Sequence, residues 1–434
     1  MLETIAPFLP LSKVLGAFGV MLLGLRLRQP LWLSVLAGSL VLGLLFGMDP
    51  LAWAQVSAAS IIQRETCFLV LILALILFLS EVLEKSGQTA RLMQAASGFL
   101  RDPRLRLAFF PALVGLLPMP GGAVFSAPLV RDMADELGLA RRDTALVNYW
   151  FRHLWELCWP LYPGIILTSS LAGVPLARLI AYTFPCIGLC IVLGWVFIMR
   201  PAAAHLKAAA PRTDEPRDDA PRDLGAALWH GLPMLVAIIG GLGMEFGMTL
   251  LAPTLPFELG IMAALTLAIL CALAQTRVGP QFVIAVLRKA ELYQLVALVV
   301  SILMFKDVLQ ASGAVEQLSR TASGPGALFA LTLSLPFLVG CISGISVAFV
   351  GSTFPIILGV ISATHAGDQL MPHLVLGLFA GFTGVMVSPL HVCFILSCQF
   401  FGVDFAPAWR RLLVPCALLL ASGIAWFFVL LRFA

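Results

Sequence analysis

The chain has 434 residues, of which 60% are hydrophobic and only 12% charged, with a mean hydropathy of +0.99. A soluble domain carries about 25% charged residues, so a water-soluble enzyme, a disordered chain and a disulfide-stapled secreted module are excluded. The net charge of +4 is spread over short loops and builds no basic face, so no nucleic-acid partner is expected. A spanning helix takes about 20 residues, and the length accommodates about ten to twelve spanning or re-entrant segments.

In chain order, the apolar runs predict helices near 9–25, 31–47, 67–84, 146–170 and 178–199. The first lacks a basic lead-in and a small-residue cleavage site, and reads as a retained helix. Between 106 and 131 lies an apolar pair interrupted at Pro118-Met119-Pro120-Gly121-Gly122. Residues 200–224 are a polar stretch spaced by Pro201, Pro211, Pro216 and Pro221, which reads as a linker. The order then recurs, with helices near 228–250, 257–275, 291–309, 373–398 and 411–431 and an interrupted pair over 327–362, broken around Ser343-Gly344-Ile345-Ser346.

The recurrence is visible in single residues. Glu81 to Gly87 aligns with Asp307 to Gly313 at an offset of 226, Leu113-Val114-Gly115 with Leu338-Val339-Gly340 at 225, and Trp159-Pro160 with Ser388-Pro389 at 229. Each copy holds five crossings plus a pair that returns to its own side. An odd number of crossings inverts the second copy relative to the first. The expected fold is therefore all-α and integral to the membrane, with two inverted repeats, 1–199 and 225–434, joined by 200–224. Placing that linker in the cytoplasm puts 20 of the 27 Lys and Arg on the cytoplasmic side and 5 opposite, with Arg152 and Lys306 inside helices. This asymmetry is the one expected of a multi-pass membrane protein with that linker in the cytoplasm, with both termini outside.

Irregular backbone at membrane depth survives only inside protein or beside a water-filled cavity. Paired broken elements in two copies point to a solute site at the midplane, where half-helix N-termini favour anions. Pro120, Gly121, Gly122 and Ser126 at the first break, and Ser343, Gly344, Ser346, Ser352 and Thr353 at the second, are candidates. The stretch Asn148-Tyr149-Trp150-Phe151-Arg152-His153-Leu154-Trp155-Glu156 places three ionisable groups in an apolar helix, where charge is costly. Arg152 and Glu156 share a helix face at i,i+4, either as a structural ion pair or with Arg152 drawing an anion and Glu156 positioning it. Asn148 lies on that face, and His153 lies one position off it as a buried hydrogen-bonding group or a proton relay. His391, after Pro389, is its counterpart. Glu81 and Asp307 occupy equivalent places, six residues before a Ser-Gly helix end, and read as interfacial carboxylates (Glu81 pairing with Lys85) or as ligands of a coupling ion.

The motifs running from Pro118 to Pro128 and from Asn148 to Glu156, followed by Pro160-Leu161-Tyr162-Pro163-Gly164, resemble a prokaryotic membrane family designated domain of unknown function 401, over nearly the whole chain. That resemblance implies kinship with the ion transporter superfamily, whose members include sodium-coupled dicarboxylate symporters. It implies a re-entrant hairpin and a discontinuous helix in each repeat, an elevator motion of 67–170 and 291–398 against helices 9–47, 178–199, 228–275 and 411–431, and a homodimer. Those symporters carry Ser-Asn-Thr at both hairpin tips, whereas Pro-Met-Pro-Gly-Gly and Gly351-Ser352-Thr353 stand here. The expected function is secondary active transport of a small organic anion, coupled to Na⁺ through Ser343, Gly344 and Ser352, or to H⁺. The alternatives are a membrane subunit that works with a binding protein, and an anion channel. Gly344-Ile345-Ser346 lacks the final Gly of a nucleophile elbow, and His153 to Glu156 is not the zinc-binding HExxH, so no enzyme is expected. None of the nine Cys forms a metal-type CxxC pair, and free thiols, no metal and no cofactor beyond Na⁺ are expected.

Overall fold

The computed structural model describes residues 9–97, 99–100, 102–118, 122–204, 223–251, 255–256, 258–276, 278–321 and 325–433. All regular structure among them is helical. The first half runs α1 (Leu9–Arg26), α2 (Leu31–Leu45), α3 (Pro50–Ile61), α4 (Arg64–Lys85), α5 (Gln88–Ser97), α6 (Pro103–Gly115), α7 (Ala123–Leu137), α8 (Arg141–Arg152), α9 (Pro163–Ala172), α10 (Leu176–Thr183) and α11 (Pro185–Gly194), the last continuing through a π turn at Trp195–Met199 to Ala204. The second half runs α12 (Leu224–Leu235), which passes through a π turn at Val236–Gly240 into Gly241–Leu251, then α13 (Glu258–Thr276), α14 (Pro280–Leu287), α15 (Ala290–Ala311), α16 (Ala314–Thr321), α17 (Pro325–Ser343), α18 (Ser346–Ala363), α19 (Leu370–Val387), α20 (Val392–Phe401) and α21 (Phe405–Leu430). Nine helices among the described residues are long and apolar enough to cross a membrane. Most of the linker, 205–222, lies outside the described residues.

Four short helices, α3, α5, α14 and α16, add to the predicted set. Local chemistry starts two of them. The Asp49 carboxylate accepts from the Leu51 N–H at 3.0 Å, with Pro50 in the first helical position, and Pro280 occupies that position in α14. Proline tolerates that place because its missing N–H would have had no helical partner. The helix expected over 146–170 differs more. It ends at Arg152, turns through 153–162, and resumes at Pro163 as α9. Arg152 and Glu156 are therefore not on one helix turn.

Packing is concentrated on the broken elements. Every residue of α19 from Met371 to Val387 is buried, and Tyr149, Trp150 and Phe151 of α8 are among the largest fully enclosed side chains. A helix that is apolar all round belongs in the interior of a bundle. In lipid, van der Waals fit replaces the aqueous hydrophobic drive, and small residues let backbones close up. A Cβ on Gly340 of α17 would lie 2.3 Å from the Gly381 carbonyl oxygen, and one on Gly384 of α19 would lie 2.2 Å from that of Phe337. Gly115 of α6 meets the Arg152 carbonyl at 2.1 Å on the same measure.

The breaks themselves have local causes. Gly344 sits at φ +66°, a conformation open to glycine without strain, and Ile345 is extended before α18 starts at Ser346. Pro389 biases Ser388 to extended backbone, and there α19 stops, at φ −64° and ψ 128°.

Candidate functional site

A cavity of about 650 Å³ lies among these breaks. Its polar wall contains Glu81 and Glu84 from α4, Lys289 before α15, Arg152, His153 and Glu156 from the α8–α9 break, Ser346 from the start of α18, and His391 with Cys393 from the α19–α20 break. Its apolar wall includes Trp32, Phe78, Leu295 and Val385. Arg152 is 3% exposed, and its guanidinium packs on Gly122, where an added Cβ would lie 2.1 Å from Nη2. Any side chain at 122 would occupy the space that the guanidinium uses.

Glu156 accepts a hydrogen bond from the Ser346 hydroxyl, which ties the first half's break to the second half's. Gly164 gives this junction room, since its Cβ would stand 3.1 Å from that of Ser346. Tyr162 donates to the Gly115 carbonyl at 2.6 Å, and Tyr149 donates to the Met386 carbonyl at 2.9 Å. Each tyrosine thus spends its only proton on a backbone acceptor at a helix break.

The sequence candidates fall into three groups. Arg152, His153, Glu156, Ser346, His391, Gly344 and Glu81 line the cavity, with Gly122 directly behind Arg152. A second set lies outside the lining. Asn148 is held by Ser126, whose hydroxyl donates to it at 2.6 Å, and donates to the Ala123 carbonyl and Ser397 at 3.0 Å each. Ser352 and Thr353 return their hydroxyl protons to the Ala348 and Phe349 carbonyls, Ser343 bonds within its own turn, and Asp307 lies 3.4 Å from Lys306. Pro120 and Gly121 form the third group and lie outside the described residues.

Glu81 bonds Lys289 and lies 3.9 Å from Lys85, so two ammonium groups balance its charge. Glu245, isolated in the sequence, accepts from the Leu176 N–H at 2.6 Å and the Ala177 N–H at 3.3 Å. It caps α10 from a neighbouring helix, where a carboxylate complements the helix dipole.

Sequence reading missed Glu84, Lys289 and Cys393. The first two sit among loop-flanking charges with no local signature. Cys393 did carry a signal, the His391-x-Cys393 spacing directly after a Ser-Pro break. All nine cysteines are free, and the ligand atoms of His153, His391 and Cys393 lie within 4.8 Å of one another.

Helix breaks around a cavity, among helices long and apolar enough to cross a membrane, define a multi-pass α-helical membrane protein with a part-polar cavity. Residues 11–430 match the family described as "Protein of unknown function (DUF401)", and the chain belongs to that family. Among solved structures it is similar to the Alcanivorax borkumensis YdaH transporter, described as having an unusual topology, with 17% identity and a TM-score of 0.65 over 92% of this chain and 96% of that one. No curated protein matches it.

Proposed function

We propose that this protein is a secondary active transporter of an organic anion, carboxylate in type, with an apolar body. The observation that carries this reading is the buried Arg152 on the wall of a cavity bounded by breaks from both halves of the chain. A guanidinium presents a rigid fork of donors suited to a carboxylate. A cavity of about 650 Å³ walled by Trp32, Phe78 and Leu295 leaves room for more than a small dicarboxylate. The resemblance in fold to a transporter supports the class.

Proton coupling suits the lining better than Na⁺ coupling. Ser352 and Thr353 lie outside the cavity lining, while three carboxylates and two imidazoles face the cavity. Glu156 is the favoured proton carrier, because its carboxyl group joins the two breaks through Ser346.

Paired contacts support the two-repeat architecture. Gly115 meets the Arg152 carbonyl and Gly340 meets that of Gly381. Trp155 donates to the Ala112 carbonyl at 2.7 Å, and Gly384 abuts that of Phe337. In each case the partners recur at offsets of 225 and 229, those of the sequence anchors. Helices α4 and α15 are each 22 residues long and are followed by a glycine with φ of +72° and +69°. With inversion between the halves, the segments 67–170 and 291–398 form a moving body. They slide against a scaffold across the α2–α15, α4–α13 and α19–α21 contacts. The linker is cytoplasmic, the termini face outward from a prokaryotic inner membrane, and the scaffold pairs two copies.

The test is uptake of labelled organic anions by proteoliposomes, with separate proton and Na⁺ gradients. Arg152→Ala should abolish uptake while the protein still elutes as one species. Full uptake by that variant would remove the anion assignment.

A further inference from the structure

Two imidazoles and a thiol meet where two helix breaks adjoin. His153 follows the last residue of α8, His391 immediately precedes α20, and Cys393 is the second residue of α20. They are 5%, 6% and 7% exposed. The rings stand edge-on, with centroids 4.7 Å apart and planes at 87°.

Their hydrogen bonds fix which nitrogen is available. His153 Nδ1 lies 2.7 Å from the Tyr149 carbonyl oxygen, and His391 Nδ1 lies 3.0 Å from that of Val385. A carbonyl has no proton to give, so each Nδ1 carries hydrogen and donates. The Tyr149 hydroxyl, 3.3 Å from His391 Nδ1, has already given its proton to the Met386 carbonyl, and it too only accepts. Both imidazoles are thereby held with the lone pair on Nε2. A second ring nitrogen tied to a backbone carbonyl is the outer-sphere arrangement that orients histidines on metals and raises their basicity.

We propose that His153, His391 and Cys393 bind one transition-metal ion of the zinc class. Zinc takes thiolate at about 2.3 Å and imidazole at about 2.0–2.1 Å in a tetrahedron. That geometry puts ligand atoms roughly 3.3–3.6 Å apart, and one ligand atom from each residue already lies within 4.8 Å of the others, so binding draws the three side chains together. Two imidazoles and a thiolate select zinc over Mg²⁺ or Ca²⁺, which prefer oxygen. Three protein ligands leave a fourth position, and all three residues line the cavity, so that position opens toward the chamber and takes water or a carboxylate. The Cys393 thiol gives its proton to solvent on binding. The site rests on these three side chains alone and holds whether or not the cavity carries a solute.

The test uses the full chain in detergent, stripped by a chelator and equilibrated with Zn²⁺, with metal counted by mass spectrometry and Co²⁺ as an optical probe. The expected result is one zinc per chain, tetrahedral thiolate bands with Co²⁺, and at least a tenfold loss of affinity in both Cys393→Ser and His391→Gln. If His391→Gln fails to fold, Cys393→Ser and Cys393→Ala carry the test. Substoichiometric zinc in the wild type, or affinity unchanged in every folded variant, overturns the site. Wild-type protein that transports normally but binds no zinc would remove this proposal alone, and protein that binds zinc but shows no uptake with or without the metal would remove the transport reading alone.

Discussion

Glu156, four residues beyond the end of α8, and Ser346, the first residue of α18, are 190 positions apart in the chain yet joined by a hydrogen bond. Each stands where a helix is interrupted, and together they close the polar wall of the cavity. A hydrogen bond to a charged group contributes about 1.5–3 kcal/mol. If Glu156 carries the coupled proton, Ser346→Ala should slow proton-driven uptake by about ten- to hundredfold, and Ser346→Thr should restore most of it. Uptake kinetics in proteoliposomes would decide, and an unchanged rate in Ser346→Ala would remove this contact from the mechanism.

Gly122 offers a way to displace Arg152 without removing it. The residue lies in the right-handed helical region, at φ −56° and ψ −12°, so alanine meets no backbone strain. Its methyl would press on the guanidinium end of the Arg152 side chain. Gly122→Ala should weaken anion binding by about tenfold, equivalent to about 1.4 kcal/mol, with thermal stability nearly unchanged. Titration calorimetry alongside a melting curve separates the two effects.

At Gly384 the neighbour is rigid. A methyl there would meet the Phe337 carbonyl and the Cys341 N–H of the facing helix, and neither can move without α17. Gly384→Ala should cost about 1–3 kcal/mol, seen as a lower Tm in detergent. A Tm equal to wild type would mean that α17 and α19 are not packed this closely.

Glu245→Ala deletes the carboxylate that caps α10. Loss of a cap costs about 0.5–2 kcal/mol. The expected outcome is reduced stability with anion affinity intact, because Glu245 does not line the cavity. Chemical denaturation and ligand binding measured on the same preparation would test the pair of statements.

The sliding motion has a direct mechanical test at α2 and α15. A Cβ at Gly43 would stand 3.5 Å from a Val308 methyl, so cysteines at both positions are close enough to cross-link. The oxidised pair should stop uptake, and reduction should restore it. Undiminished uptake through fully cross-linked protein would rule out movement across that contact.

Composition and spacing alone determined the membrane solvent, the broken elements and the cluster from Asn148 to Glu156, because apolar runs and Pro-Gly interruptions act locally. Asp49-Pro50 marked the start of α3 in the same local way, although its short apolar run did not suggest a separate helix. Only the tertiary structure decided that Arg152 rests on Gly122, that Asn148 is consumed by Ser126 and Ser397, and that Glu245 caps another helix. The meeting of His153 with His391 and Cys393 likewise depends on two breaks far apart in the chain coming into contact. A side chain's partners are set by which backbone carbonyls and hydroxyls arrive beside it in three dimensions, and linear spacing carries no record of that.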